Sequence, residues 1–310
     1  MAHLKTRNGA PLSTLTFGTM QFGGTADERE SRAMYEAARA AGINHFDTAV
    51  GYTGGASERI LGPMIAQDRD NIFLATKVGY KGGASSENIL TQFDQSRRQL
   101  NQDAVDLLYL HRFDDNTPLA QTFETMAALQ NSGKIRHIGV SNYAAWQVMK
   151  AQTIAKTFGT RIDAIQPMHS LVKRQAEVEI IPMATDQGIS VFPYSPLGGG
   201  LLTGKYASGG TGRLTTDENY RMRYDQAWMH EAARGLSDLA KQIGTDPATL
   251  AVAWVMAHPA GLHPIISARS AAQLEPSLAA ADFEMTDQLY QQISALSLTP
   301  PPATDRLEEA

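Results

Sequence analysis

Polar residues with possible chemical roles follow successive apolar runs of this 310-residue sequence. In chain order they are Asp47, Lys77, His111, Ser141 with Asn142, Gln166, and Tyr194 with Ser195. One polar residue after a buried strand is ordinary, because the chain leaves the core there. A whole series indicates a site, because the carboxyl ends of parallel strands meet at the same edge of a sheet.

Lys77 is the most informative of these residues because it ends the apolar run 71–77. An ammonium group is costly to bury unless a carboxylate pairs with it, and Asp47 ends the preceding run, where it can do so. The alternative is that Lys77 extends to solvent, as most lysines do. The lysine by itself does not decide between these interpretations.

Tyr52 and His111 gain their interest from this pair. Tyr52 lies beyond Asp47 in Asp47-Thr-Ala-Val-Gly-Tyr52, far enough for a loop to fold back over the strand ends. A loop tyrosine carries no signal alone, and a histidine at the end of a strand is more often structural than catalytic. Their candidacy as catalytic residues therefore depends on the company of Lys77 and Asp47.

Short apolar runs alternate with helical patterns, which predicts a parallel sheet with crossover helices. The predicted strands cover 15–18, 43–47, 71–77, 105–111, 135–141, 162–167, 189–194 and 263–267. Eight strands are the number that closes a barrel. The predicted fold class is therefore α/β, a (β/α)₈ TIM barrel with an N-terminal hairpin at Asn8-Gly9 and an extra C-terminal helix.

Helical patterns connect the predicted strands. They cover 29–41, 57–67, 86–100, 118–132, 144–158, 175–187, 230–243, 247–257 and 270–281, and the extra helix covers 286–297. The stretch 195–229 is predicted as an irregular lid or binding loop, because loops of that length are uncommon in compact domains. No linker or low-complexity tract is visible, so residues 1–310 are predicted to form a single domain.

Composition narrows the classes of function. The absence of cysteine excludes disulfides and thiolate sites, and the scattered histidines lack metal-ligand spacing, so no metal is expected. A net charge of −5 argues against a nucleic-acid partner. No secretory signal and no apolar run of roughly 18 residues is visible, so we expect no membrane association and a cytoplasmic location. The oligomeric state stays open.

The motifs around these residues resemble those of the aldo-keto reductase family. Asp47-Thr-Ala-Val-Gly-Tyr52 is followed by Ser57-Glu58 and Leu61-Gly62. The match continues in order through Thr76-Lys77, Leu110-His111-Arg112, Gly139-Val-Ser-Asn142, Gln166 and Tyr194-Ser-Pro-Leu197. The resemblance implies an NADP-dependent oxidoreductase that reversibly reduces an aldehyde or ketone to the alcohol. It also implies a small-molecule carbonyl substrate and a catalytic tetrad of Asp47, Tyr52, Lys77 and His111.

The chemistry of carbonyl reduction agrees with that tetrad. Negative charge develops on the carbonyl oxygen as hydride arrives, so donors and a proton must be in place. A free tyrosine has a pKa of about 10, and a neighbouring ammonium lowers it. We therefore expect Lys77 to lower the pKa of Tyr52, Asp47 to keep Lys77 charged, and His111 to orient the carbonyl.

The resemblance also implies contacts with NADP(H). The candidates are Thr19, Met20, Ser141, Asn142, Gln166, Tyr194, Ser195, Leu197, Gly199, Leu201, Lys205, Ser267, Arg269 and Gln273. Ser141, Asn142 and Gln166 complement a carboxamide, and Arg269 before a helix suits the 2′-phosphate. Asn142 has an alternative role as the N-cap of helix 144–158. Pro276-Ser277 stands where relatives commonly carry Glu-Asn, which puts the adenine contacts in doubt.

Two other functions stay open at this point. One is a nucleotide-sensing regulatory subunit resembling channel-associated β subunits. The other is an aldolase-type barrel in which Lys77 forms a Schiff base, which needs a neutral lysine that Asp47 would oppose. Sugars, simple aldehydes, pyridoxal and aryl ketones are all candidate substrates, and the residues considered for the pocket wall are Tyr80, Arg112, Phe113 and Trp228.

Overall fold

The structure, a computed structural model, describes residues 4–207 and 209–309. In that part of the chain, eight parallel strands form one sheet. They are β1 (Thr16–Gly18), β2 (His45–Asp47), β3 (Phe73–Val78), β4 (Val105–Leu110), β5 (Ile135–Ser141), β6 (Ala164–Gln166), β7 (Ser190–Val191) and β8 (Ile265–Ile266). Each strand overlaps one that the sequence predicts.

The sheet curls on itself. The strand order is β7-β6-β5-β4-β3-β2-β1-β8, so the last strand pairs with the first. Tyr194, just beyond β7, forms a parallel bridge with Ile265 of β8, and Ile265 N donates to Pro193 O at 2.8 Å. The predicted (β/α)₈ barrel is confirmed.

Alternate residues of a strand face opposite sides of the sheet. On β3, Phe73 and Ala75 belong to the apolar cluster inside the barrel, whereas Leu74 belongs to the larger cluster beneath the helices. Lys77 continues the inward series and is 0% exposed. The alternative in which Lys77 extends to solvent is therefore wrong.

Helices surround the barrel. They are α1 (Glu28–Ala40), α2 (Ala56–Ile65), α3 (Ser86–Leu100), α4 (Leu119–Asn131), α5 (Ala145–Thr157), α6 (Ile180–Gln187), α7 (Arg213–Thr216), α8 (Glu218–Tyr224), α9 (Ala227–Ile243), α10 (Pro247–Met256), α11 (Ala271–Leu278) and α12 (Asp287–Ser294). Several begin where a side chain accepts a first-turn backbone N–H, as at Asp27, Ser85, Asp246 and Thr286. Among the described residues, no helix is long and apolar enough to cross a membrane.

Both predicted additions to the barrel are present. Lys5 and Pro11 form an antiparallel bridge around Gly9, whose φ is 89°. Leu4 packs in the cluster inside the barrel, so the hairpin covers one end of it. At the other end of the chain, α12 follows the last βα unit and is held by Trp254 Nε1, which donates to Ser294 Oγ at 2.8 Å.

The segment 195–229 differs from its predicted irregular structure. It contains a 3₁₀ segment at Gly198–Thr203, then α7 and α8, and α9 already begins at Ala227. Asp217 starts α8 by accepting from the backbone N–H groups of Asn219 and Tyr220. Many glycines and polar residues hide this helical content, because a short helix needs only a cap and one packed face.

The predicted helix at 175–187 is also divided. A 3₁₀ turn covers Gln175–Glu177, and α6 begins only at Ile180. Pro182 is the third residue of α6. Proline lacks an N–H donor and is tolerated in the first turn of a helix but not in its interior, so the helix begins shortly before it.

Candidate active site

A cavity of about 1260 Å³ opens at the carboxyl ends of the strands. Its wall includes Asp47 of β2, His111 after β4, Gln166 of β6 and Ser267 after β8, and the loop after β2 adds Tyr52. Within the described residues, no group of three or more His, Asp and Glu side chains is placed to hold a metal ion. The predicted polar strand ends therefore share one cavity, except Lys77, which is fully buried and is not part of the wall.

Lys77 Nζ lies between a carboxylate and a phenol. It donates to the Asp47 carboxylate, to Thr48 O at 2.8 Å and to Tyr52 Oη at 3.3 Å. The side chains of Lys77 and Asp47 are 0% and 4% exposed, so the ion pair is buried. An ammonium group has three donors, and all three have acceptors here.

The ionisation of this pair follows from its contacts. Burial lowers the pKa of Lys77, but Asp47 and Tyr52 raise it, and the result lies above its usual value. Burial raises the pKa of Asp47, while Lys77 and Gln166 oppose that change. The two directions disagree, since one favours a charged lysine and the other a neutral acid. Asp47 accepts from both Lys77 and Gln166 Nε2, and such bonds stabilise the charged carboxylate, so we assign the ionised pair.

The pKa of Tyr52 moves in the direction opposite to the expected one. Burial raises the pKa of Tyr52 above 10.0, and Lys77 opposes this change without cancelling it. Lys77 thus acts in the predicted direction, but desolvation of the ring is the larger effect. Tyr52 is protonated at neutral pH, and its O–H is available as a donor.

The 3₁₀ turn Tyr52–Gly55 and the start of α2 hold the loop that carries Tyr52 in place. Thr53 Oγ1 donates to Phe22 O at 2.7 Å, and Ser57 Oγ donates to Thr19 O at 2.8 Å. Glu58 is 0% exposed, and its Oε1 accepts from Thr76 Oγ1 at 2.6 Å. Thr76 precedes Lys77 in β3, so the same helix is fixed to both sides of the tyrosine–lysine contact.

His111 and Tyr52 lie beside each other in the wall of the cavity. Its ring lies 5.9 Å from that of Tyr52 and 4.9 Å from that of Tyr80, between ring centroids. Burial, with Lys77 and Arg112 adding to it, lowers the pKa of His111 to about 3. The imidazole is therefore neutral at physiological pH and offers one donor and one acceptor nitrogen.

An amide and hydroxyl network extends from Asp47 along the cavity wall. Gln166 Nε2 donates to Asp47 Oδ2 at 2.9 Å, and Ser141 Oγ donates to Gln166 O at 3.0 Å. Asn142 Nδ2 donates to Ser141 Oγ and to His111 O, and Asn142 Oδ1 accepts from Tyr194 Oη at 2.7 Å. The network ties the predicted carboxamide-binding residues to the acid–base residues.

Asn142 is not the N-cap of α5, contrary to the alternative drawn from the sequence. The N-cap is Ala144, whose backbone N–H donates to Gln147 Oε1 at 2.8 Å. Asn142 has a φ of 58°, a left-handed value that asparagine tolerates better than most residues. Its side chain is consequently turned to the cavity.

The far end of the cavity is rich in donors and cations. Gly199 and Gly200 have φ values of 65° and 94°, which favour glycine and leave the backbone uncovered. Lys205 and Arg269 line the same wall. Ser267 Oγ is buried, and within the described residues it has no hydrogen-bond partner. A ligand with phosphate groups would supply acceptors for these donors.

The start of α11 is braced by its own side chains. Gln273 Oε1 accepts from Arg269 N at 2.9 Å, and Ser270 Oγ accepts from Gln273 N at 3.2 Å. The helix runs through Pro276 to Leu278. Pro276 lines the cavity, whereas Ser277 is buried at 2% exposure, so only Pro276 of this pair belongs to the cavity wall.

Most predicted cofactor residues line the cavity, and their hydroxyl, amide and cationic groups suit the carboxamide and phosphates of a dinucleotide. They are Met20, Ser141, Asn142, Gln166, Tyr194, Ser195, Leu197, Gly199, Lys205, Ser267, Arg269 and Gln273. Thr19 and Leu201 are not brought to its wall. Thr19 is 0% exposed, with Oγ1 donating to Asp47 O at 3.2 Å. Leu201 is 2% exposed in the core. Their cofactor contacts stay predictions.

The residues considered for the pocket wall are only partly correct. Tyr80 and Arg112 line the cavity, but Phe113 and Trp228 do not. Instead, Tyr220 and Arg223 of α8 contribute to the wall. Their spacing of three residues places them on one helical face, but that signal requires recognising α8.

Comparison with known proteins agrees with the motifs. Residues 14–298 match the model of the aldo/keto reductase family. The chain is 32% identical over 312 residues to the uncharacterized oxidoreductase YrpG of Bacillus subtilis (strain 168), covering 93% of each chain. It is 30% identical over 300 residues to a probable voltage-gated potassium channel subunit beta of Arabidopsis thaliana, covering 89% of each. It is also 36% identical over 206 residues to aflatoxin B1 aldehyde reductase member 2 of Rattus norvegicus, covering 64% of this chain and 56% of the relative. The chain belongs to the aldo/keto reductase family.

Proposed function

We propose that this protein is an NADPH-dependent oxidoreductase that reduces an aldehyde or ketone to the alcohol. The observation that carries the proposal is the contact of Lys77 Nζ with both Asp47 and Tyr52 at the base of the cavity. That arrangement holds a protonated phenol beside a fixed positive charge. A carbonyl oxygen that gains charge needs both.

Tyr52 acts as the general acid in this proposal. A nicotinamide held by the cavity wall would supply a hydride to the carbonyl carbon, and the electrons of the carbonyl π bond would move to the oxygen. Tyr52 Oη then donates its proton to the carbonyl oxygen, which completes the alcohol. Lys77, 3.3 Å away, stabilises the phenolate that remains, and Asp47 keeps Lys77 charged.

His111 orients the carbonyl as a neutral donor. Its pKa of about 3 excludes a cationic imidazole at neutral pH. A neutral ring donates one hydrogen bond without competing with Tyr52 as an acid. His111 and Tyr52 both line the cavity, with their ring centroids 5.9 Å apart, which supports two hydrogen-bond donors to one carbonyl oxygen.

The cofactor would lie along the rest of the cavity wall. Ser141, Asn142 and Gln166 offer the hydroxyl and amide groups that a carboxamide requires. The Tyr194 ring adds an aromatic face. Lys205 and Arg269 offer cations for the phosphates, and Arg269 is the expected contact of the 2′-phosphate that distinguishes NADPH from NADH.

The aldolase alternative is disfavoured. A Schiff-base lysine must be neutral to attack a carbonyl carbon. Lys77 is held charged by three acceptors, and Asp47 and Tyr52 raise its pKa. The same contacts that suit Lys77 for charge stabilisation therefore make it a poor nucleophile.

A regulatory subunit is the second candidate, because one of the similar proteins is named as a channel β subunit. The purified protein distinguishes the two when NADPH absorbance is followed with a panel of aldehydes and ketones. Carbonyl-dependent loss of absorbance supports the reductase. Tight NADPH binding without turnover of any carbonyl compound would support the sensor instead.

A further inference from the structure

The cavity wall carries more positively charged side chains than carboxylates. Six cationic side chains line it: Lys81, Arg112, Lys205, Arg213, Arg223 and Arg269. The carboxylates of its wall are Asp47 and Asp246. Asp47 pairs with Lys77, and Asp246 caps α10 by accepting from Ala248 N at 2.7 Å. The surplus is notable in a chain with a net charge of −5.

One group of these cations belongs to the far end of the cavity. Lys205 is close enough to Arg269 and Arg213 that both lower its pKa, after burial. These three are the natural partners of the cofactor phosphates, which lie away from the nicotinamide. They leave Lys81, Arg112 and Arg223 without a role in the proposed function.

Arg112 lies at the catalytic end. Its Cζ stands 5.2 Å from the centroid of the Tyr80 ring, and that ring lies 4.9 Å from the ring of His111. Arg112 also contributes to the lowered pKa of His111. The guanidinium is therefore separated from the carbonyl-orienting histidine by a single aromatic ring.

Arg223 approaches the same end from α8. Its Cζ lies 5.7 Å from the centroid of the Tyr220 ring, which Arg213 also contacts at 4.9 Å. Arg223 lowers the pKa of Tyr194, where burial is the larger, opposite influence, and Tyr194 Oη donates to Asn142 Oδ1 at the catalytic end. Within the described residues, neither Arg112 nor Arg223 forms a salt bridge; their contacts are with the tyrosine faces. Both exposed guanidinium groups keep their donor edges for another acceptor.

We propose that the physiological substrate is a carbonyl compound with an anionic group, a carboxylate or a phosphate, which Arg112 and Arg223 bind while the carbonyl faces Tyr52 and His111. The inference rests on the proposed reductase function. Guanidinium groups bind such oxyanions through paired, charge-assisted bonds. A cavity of one charge sign also concentrates an oppositely charged substrate.

Matched substrates test the charge requirement. We would measure kcat/KM for ω-oxo-carboxylates of increasing chain length against their methyl esters, and for glyceraldehyde 3-phosphate against glyceraldehyde. We expect a preference of about tenfold or more for the anionic member, on the scale of one charge-assisted bond. The first series reports on a carboxylate and the second on a phosphate. The preference should shrink as ionic strength rises.

Arginine variants locate the anion site. Arg112→Gln and Arg223→Gln should each lower the ratio of anionic to neutral kcat/KM about tenfold, chiefly through KM. Arg221→Gln is the matched control, because Arg221 lies on the same helix, pairs with Glu218 at 3.9 Å and is 56% exposed. It should leave the ratio unchanged.

The outcomes separate this inference from the proposed function. Turnover of neutral carbonyl compounds with no preference for anions overturns the anionic substrate and leaves the reductase intact. Absence of turnover with every compound overturns both. Weaker NADPH binding in Arg112→Gln and Arg223→Gln, with an unchanged substrate ratio, would assign these arginines to the cofactor and overturn the inference as well.

Discussion

Tyr52 illustrates how two opposing influences set the state of one residue. Burial raises the pKa of its phenol, and the Lys77 ammonium lowers it by a smaller amount. The protonated form that results is the form a proton donor needs. The ammonium then matters most after the proton has left, when it faces a phenolate 3.3 Å away.

Tyr52→Phe should abolish most turnover while preserving cofactor binding, because it removes only the proton donor. We expect kcat to fall by about 10²–10⁴-fold, the usual contribution of general acid catalysis. Steady-state kinetics and an NADPH titration measure the two properties. Tyr35→Phe is the control, since Tyr35 is a buried residue of α1, 9% exposed, that does not line the cavity. Near-normal turnover in Tyr52→Phe would remove the tyrosine from the mechanism.

Lys77→Met should lose activity and stability together. The substitution leaves the Asp47 carboxylate buried with Gln166 as its remaining side-chain donor. Breaking a buried pair in this way costs about 3–5 kcal/mol of unfolding free energy, and proton uptake by Asp47 reduces that cost. Urea denaturation followed by circular dichroism measures the change.

Asp47→Asn is the informative partner of that variant. It leaves Lys77 its contacts with Thr48 O and Tyr52 Oη, so we expect a smaller loss of kcat than in Lys77→Met. An equal or larger loss would mean that Asp47 acts by more than holding the charge of Lys77.

At the scale of elements, the N-terminus of α11 has the features of a phosphate site. Its backbone start is fixed by Ser270 and Gln273, while the Arg269 guanidinium stands at the cavity wall. A helix N-terminus and a guanidinium both favour an anion. The helix thus presents Arg269 in a defined position instead of leaving it on a mobile loop.

Arg269→Ala should weaken NADPH binding by one to two orders of magnitude and leave NADH binding nearly unchanged. The loss corresponds to charge-assisted bonds of about 1.5–3 kcal/mol, where 1.4 kcal/mol is tenfold. Quenching of tryptophan fluorescence measures both affinities, and Arg234→Ala, on α9, serves as the control. Equal losses for the two cofactors would show that Arg269 supports the fold or the adenine instead of the 2′-phosphate.

At the scale of the whole molecule, buried histidines make stability depend on pH. Burial lowers the pKa of His169 to about 3, with His258 and Arg174 adding to the effect, although Glu177 lies 3.7 Å from its Nε2. Burial is also the main cause that lowers the pKa of His45 well below 6.5. The unfolded chain therefore binds more protons than the folded one between about pH 3 and 6.5, so stability is lost as pH falls through that range.

Glu58 makes the stability of the fold depend on pH in the opposite sense. Burial raises its pKa to about 7, so the folded state holds an extra proton above pH 4.5 and loses stability as pH rises towards 7. We expect the histidines, being more numerous, to dominate between pH 4.5 and 6. His169→Gln should reduce the slope of unfolding free energy there by about 1.4 kcal/mol per pH unit, the value for one proton. An unchanged slope would mean that His169 is protonated in the fold.

The sequence by itself determined the order of the strands and the polar character of their ends. Apolar runs of the length of a strand, separated by helical patterns, allow few arrangements besides a parallel barrel. The sequence also placed Lys77 at the end of an apolar run, but its position inside the barrel, in series with Phe73 and Ala75, is known only from their burial in the structure. What such patterns cannot predict is any contact between segments that are distant in the chain.

Only the tertiary structure decided those contacts. The pKa of Tyr52 depends on how much solvent its ring loses, which the neighbouring lysine does not reveal. Asn142 faces the cavity because its left-handed backbone turns it away from α5. Arg223 reaches the catalytic end because α8 forms inside a segment whose composition predicts a loop. In each case the deciding quantity is burial or distance, and local sequence carries neither.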